Sequence, residues 1–199
     1  MIRKLNIKAI LIVFLVVFLY LTTGYTKDGS LKLILLISEQ NISSPQHAWW
    51  ASELDLSITE SKLAQKLIEN GYTILEPSFL NQIIKQEKAF RLVNISEEKS
   101  IKLGSLAKAD YVVLGKAVAS SAGNVPQSNM RSCFANISAK LIRVRDGKVI
   151  AYLDSSGSSA HMDVITGGKE ALSNAAETLT AKIIDALSKE VEVKKEGVR

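Results

Sequence analysis

Polar and apolar residues change places along this chain with the periods of strands and helices. Residues 31–37 are a nearly continuous aliphatic run with polar neighbours, which suits a central strand buried on both faces. Ser57 stands three residues before Glu60, the spacing of a capping box, and Leu63, Ala64, Leu67 and Ile68 form one helical stripe that Asn70-Gly71 ends. Residues 72–75 read as a second strand, stopped by Pro77. Phe79, Leu80, Ile83 and Ile84 then repeat at helical spacing, and a further helix is expected from about Ser96, with Glu97 and Glu98 in its first turn, to about Ala109. Residues 111–118 form a third strand, and 120–129 read as a flexible connection.

Strict alternation follows. Ala135, Ile137, Ala139 and Leu141 alternate with Asn136, Ser138 and Lys140, Asp146-Gly147 suits a two-residue type I′ turn, and Val149, Ala151 and Leu153 continue on a return strand. Gly157 and the serines around it are expected to loosen the end of that strand. A last helix over about 168–189 places Leu172, Ala175, Ala176, Leu179, Ile183 and Leu187 on one face, and the charged residues 190–199 are expected to fray. The order of elements predicts a single α/β domain over residues 25–189. Its mixed five-stranded sheet, a β-α-β unit followed by an antiparallel meander, is packed with helices.

The N-terminal pattern is of another kind. Residues 9–21 are all apolar, Arg3, Lys4 and Lys8 precede them, and Thr22, Thr23 and Gly24 follow, which is the layout of a secretory signal peptide over 1–24 with cleavage after Gly24. Thirteen apolar residues are too few for a spanning helix, which needs about 20; an uncleaved inner-membrane tether is the alternative. Removing this segment takes three of the 25 basic residues and none of the 20 acidic ones, so a net charge of +5 falls to +2. A nucleic-acid partner calls for a clustered basic face. Lys140, Arg143, Arg145 and Lys148, gathered at one predicted turn, read instead as solvated charges on a hairpin tip. Cys133 is the only cysteine, so no internal disulfide forms and no cysteine stands at the junction to carry a lipid. Its place beside Phe134 in a predicted strand suits a buried free thiol.

Catalytic motifs built on glycine spacing are absent. Thr166-Gly167-Gly168-Lys169 is the nearest approach to a phosphate loop and reads as a helix-capping turn. His47 and His161, the only histidines, lie in separate predicted loops, so no metal, no cofactor and no catalytic residue is assigned. The Asn-Ile-Ser triplets at Asn41, Asn94 and Asn136 read as chance matches to the glycosylation pattern. Trp49-Trp50, in a predicted loop over 38–55, is the more informative pair. Trp49 and Trp50 are the expected partner-binding anchors, at least one indole staying exposed while one packs into the core, with the 120–129 loop, including Asn124 and Pro126, as a second contact.

The stretches Leu106-Ala107-Lys108-Ala109-Asp110-Tyr111-Val112-Val113-Leu114-Gly115 and Ile137-Ser138-Ala139-Lys140-Leu141-Ile142-Arg143-Val144-Arg145-Asp146-Gly147-Lys148-Val149-Ile150-Ala151 resemble a pattern found in a superfamily of bacterial envelope accessory proteins. The group includes the periplasmic domain of the curli secretion channel, the N-terminal domain of the Tol-system protein TolB, lipoprotein activators of penicillin-binding proteins and a flagellar basal-body assembly protein. The resemblance covers about residues 31–188 and implies a non-catalytic domain that binds other envelope proteins. The expectation is therefore a periplasmic, non-enzymatic accessory or assembly protein. Its partners would be outer-membrane, peptidoglycan-synthesis or flagellar proteins, with no nucleic acid. The alternatives are a small-ligand binder with a pocket beside the final hairpin and, behind it, an unconventional hydrolase.

Overall fold

The aliphatic run of residues 33–37 becomes an interior strand of a five-stranded sheet. In a computed structural model of the chain, which describes residues 30–52, 56–86 and 94–196, β1 (Lys32–Gln40) lies parallel to β2 (Thr73–Ile74) on one side and to β3 (Tyr111–Asn124) on the other. The antiparallel strands β4 (Arg131–Arg143) and β5 (Val149–His161) complete the order β2-β1-β3-β4-β5. The fold is thus the expected mixed α/β sheet, and the residues from Leu31 onward form one unit. The expected signal segment and its cleavage position at Gly24 lie outside the described residues.

Among the described residues five helices flank the sheet: α1 (Trp49–Ser52), α2 (Ile58–Glu69), α3 (Pro77–Gln86), α4 (Glu97–Leu106) and α5 (Val164–Glu196). Leu33, Leu35 and Ile37 of β1 pack with Leu63 and Leu67 of α2 and with Leu172, Leu179, Ile183 and Leu187 of α5. Ile34 and Leu36 pack on the other face with Trp49, Trp50, Leu80, Ile84 and Leu103. Burial on both sides explains why β1 reads as an aliphatic run rather than an alternation. Among the described residues no helix is long and apolar enough to cross a membrane.

The capping box is present at α2: the Ser57 hydroxyl accepts from the Glu60 amide at 3.2 Å and the Glu60 carboxylate accepts from the Ser57 amide at 3.1 Å. Its other oxygen accepts from the Ile37 amide at 2.8 Å, so one buried side chain ties the start of α2 to β1. Pro77 has two roles. It cannot extend β2, and as the first residue of α3 it lacks only an amide that would have no helical acceptor.

Five expectations need correction. The β4–β5 connection spans residues 144–148 rather than two, and Gly147 alone takes a positive φ there, at 68°. Asp146 is committed to Arg143, accepting from Nε at 2.9 Å and Nη2 at 2.7 Å, which holds its carboxyl down at about 2. Arg143 is in turn buried and pairs with Glu190, so it is not one of four solvated charges. The segment 120–129 is only half a loop, because β3 stays paired with β4 through Ser121 and, after a register shift, again at Asn124, and the Val125 amide closes the turn on Met130 O at 2.8 Å. The last helix starts at Val164, where the Asp163 carboxylate accepts from the Thr166 amide at 2.8 Å, and it continues to Glu196 instead of fraying from Glu190. Thr166-Gly167-Gly168-Lys169 accordingly lies inside the first turns of α5, with Gly167 packed against Cys133 and Gly168 against Asn41.

The fifth concerns the tryptophans: both are buried. Trp49 is 0% and Trp50 2% exposed, their rings meet edge to face with centroids 5.9 Å apart, and Trp49 Nε1 donates to Leu35 O at 3.1 Å. A short helix, α1, makes this possible by turning adjacent side chains about 100° apart, so both reach the same core layer. Trp49→Ala is expected to lower the unfolding free energy by about 3–5 kcal/mol in urea titrations, with Trp49→Phe costing less, because the ring volume and not the surface is what that site uses.

Candidate functional site

The two faces of the sheet are finished differently. Toward α2 and α5 the core is continuous from Leu33 to Leu153. On the other face α1, α3 and α4 pack over β1 and the start of β3, and among the described residues no helix covers the outer half of β4 and β5. Side chains alternate along a strand, so the register puts Leu114, Lys140 and Tyr152 in one row on this face, Lys116, Ser138 and Asp154 in the next, and Ser120, Phe134 and Ser158 further out. Tyr152 is 72% and Phe134 44% exposed.

A groove of about 340 Å³ runs where the helical layer stops. Trp50 and Ile95 wall one side, Tyr152 and Asp154 the other, with Leu114 and Ser138 between them. Lys140 crosses its end, donating to Glu97 Oε2 at 2.8 Å while its Nζ lies 5.3 Å from the centre of the Tyr152 ring. The hydrogen bond to Glu97 raises the Lys140 pKa, and the cation holds the aromatic wall beside α4. Lys116 and Asp154 have no ion pair among the described residues, so both charges are available to a bound surface.

Other polar groups are already engaged. Arg143 beside a second cleft of about 230 Å³ is occupied by Asp146 and Glu190. His47 sits in an isolated bridge with Glu39, and His161 Nδ1 accepts from the Asp163 amide at 3.0 Å. The Cys133 thiol is buried, and desolvation raises its pKa. Among the described residues no group of three or more His, Cys, Asp or Glu side chains is placed to hold a metal ion.

Of the residues singled out from sequence, Trp50 contributes a wall of the groove and Trp49 supports it from within the core. Asn124 and Pro126 are exposed at the tip of the β3–β4 hairpin and do not line the groove. The sequence reading does not single out Tyr152 and Phe134. The available signal was their occupation of polar positions in the β4–β5 alternation, where large aromatic residues stand among serines, asparagine and lysine.

Fold and face together define an α/β domain that presents half a sheet, bordered by a shallow groove, rather than an enclosed pocket. Among solved structures the chain is similar to the lipoprotein GNA1162 from Neisseria meningitidis (16% identity, TM-score 0.43, covering 82% of this chain and 99% of that one). It is also similar to the C-terminal domain of LpoB from Salmonella enterica (22% identity, TM-score 0.38, 75% and 93%) and to the PelC dodecamer from Paraburkholderia phytofirmans (17% identity, TM-score 0.40, 80% and 87%). Two of the neighbouring structures, from Neisseria meningitidis and Acinetobacter baumannii, are of lipoproteins. No protein-family model and no curated protein matches the chain.

Proposed function

We propose that this chain is a non-enzymatic accessory protein of the periplasm that docks onto an envelope protein through the half of its sheet that no helix among the described residues covers, and so assists an assembly. The observation that carries this reading is the pair of exposed aromatics, Tyr152 and Phe134, on one open strand face. A wet, largely hydroxyl-bearing surface gains little from being covered, whereas two rings on it supply the apolar area and edge contacts that anchor a partner. The basic, apolar and small-residue order of the first 24 residues supports export. Asn124 and Pro126, on the projecting hairpin, remain the second contact, and the anchoring role moves from the buried Trp49 and Trp50 to the exposed rings.

Tyr152→Ala combined with Phe134→Ala is expected to reduce recovery of the partner from envelope extract by about tenfold or more. Far-ultraviolet circular dichroism and Tm should stay at parental values, because neither ring is part of the core. Undiminished recovery would overturn the reading. The groove favours one second reading, a small-ligand site, for which a cell-wall fragment that binds the folded state would raise Tm in a thermal-shift series.

A further inference from the structure

β5 is an edge strand of thirteen residues without proline, and residues 155–160 are all serine, glycine or alanine. Such an edge ordinarily offers a row of unpaired backbone groups to another strand. Here two of them are taken by the helix behind it: Lys182 Nζ donates to Asp154 O at 2.5 Å and Asn174 Nδ2 donates to Ser158 O at 2.9 Å. The spacing is matched, since the eight-residue step between the donors rises about 12 Å along a helix and the four-residue step between the acceptors about 13 Å along a strand. Carbonyls that bond to α5 side chains point away from β4, and the two-residue period puts the amide and carbonyl of Ser156, midway between them, on the same outer side.

We infer that the β5 edge is a self-pairing surface, complementary to β5 of a second copy of this chain, and that Lys182 and Asn174 hold it closed. An antiparallel pairing centred on Ser156 sets Asp154 against Ser158 of the other copy and Tyr152 against Ala160, so no two carboxylates face each other and small side chains meet throughout the centre. The edge has no proline, no inward charge and no bulge over residues 151–161, which are the usual obstacles to strand addition. Donors from α5 take their place, and a side chain can swing away where a proline cannot.

Sedimentation of the purified full chain over a range of concentrations tests this. Lys182→Ala with Asn174→Ala is expected to associate at least about tenfold more tightly than the parent. Lys169→Ala, the same charge change on α5 at a residue that donates to no β5 carbonyl, is expected to behave as the parent. Adding Ser156→Pro to the double variant removes an outward amide that β4 does not use and should return association to the parental level. Parental association of the double variant overturns the inference, and so does tighter association that Ser156→Pro leaves unchanged. If the double variant loses its circular dichroism signal, Lys182→Ala alone, with and without Ser156→Pro, is held to the same two outcomes.

Discussion

Gly157→Ala is expected to lower the unfolding free energy by about 3 kcal/mol, the upper part of the usual range for overpacking a core. A Cβ on Gly157 would lie 2.3 Å from Ala171 O and 2.4 Å from Ala175 N. Both are backbone atoms of α5, so no side chain can rotate aside and the helix itself must lift. Lifting it opens the layer formed by Leu172, Ala175, Ala176 and Leu179, all fully buried. Alanine gains about 0.4–1 kcal/mol over glycine by restricting the unfolded chain, which is too little to offset the displacement. Gly123→Ala is the matched control, because a Cβ there meets nothing within 4 Å. Urea unfolding should show the control within about 0.5 kcal/mol of the parent. A Gly157→Ala protein equally close to the parent would show that α5 does not rest on β5 at this point.

The second large effect is a loss of stability with rising pH. Burial pushes the Glu60 carboxyl from 4.5 up to about 8, against the opposing pull of the Ile37 and Ser57 amides that donate to it. The nearby Glu39 carboxylate adds to the rise. Below about pH 4.5 both folded and unfolded chains hold this proton and the contribution of Glu60 is fully present. Between about 4.5 and 8 the unfolded chain releases the proton while the folded chain keeps it, so folding takes up a proton and stability falls by as much as about 1.4 kcal/mol per pH unit. Asp146, held at about 2 by Arg143, behaves in the opposite sense: its contribution is constant above about pH 4 and is lost only as the pH falls toward 2. Urea titrations at pH 5, 6.5 and 8 should therefore show a decline of several kcal/mol in the parent. Glu60→Gln should flatten it and be less stable at pH 5 by about 1–3 kcal/mol, since an amide nitrogen cannot accept one of the two backbone donors. A parent with equal stability at pH 5 and pH 8 would contradict the burial of a protonated carboxyl.

Glu60 also shows where the legibility of this chain ends. Its bond to Ser57 is a contact across three residues, and the spacing alone announces it. Its bond to Ile37 crosses 23 residues and makes the same side chain a buried, proton-holding clamp, which no local pattern announces. Gly157 reads locally as looseness because glycine relaxes a strand, yet the residue is small because a helix backbone lies against it. Trp49 and Trp50 read as a loop pair of which one ring stays out, because adjacent side chains in an extended segment point apart; a one-turn helix brings both inward.

The candidate site follows the same division. The alternation in residues 135–141 announced a two-faced strand, and the stripe from Leu172 to Leu187 announced the helix that covers one of its faces. Which face that helix takes, and how far α1, α3 and α4 extend over the other, depends on contacts between segments far apart in sequence. The exposure of Tyr152 and Phe134, and the closing of the β5 edge by Lys182 and Asn174, are consequences of that placement.

Sequence by itself determined the elements whose signals lie within one or two turns or a single strand: the aliphatic β1, the capped α2, the alternating β4 and the apolar stripe of α5. Their periodicity is imposed by backbone geometry and by the need to bury one side of each element. Tertiary structure alone decided the buried tryptophan pair, the reach of Glu60 to β1, the close approach of α5 to Gly157 and the half-sheet left uncovered among the described residues. Each of these depends on which surfaces meet, and burial, desolvation and steric exclusion act between residues that only the completed packing brings together.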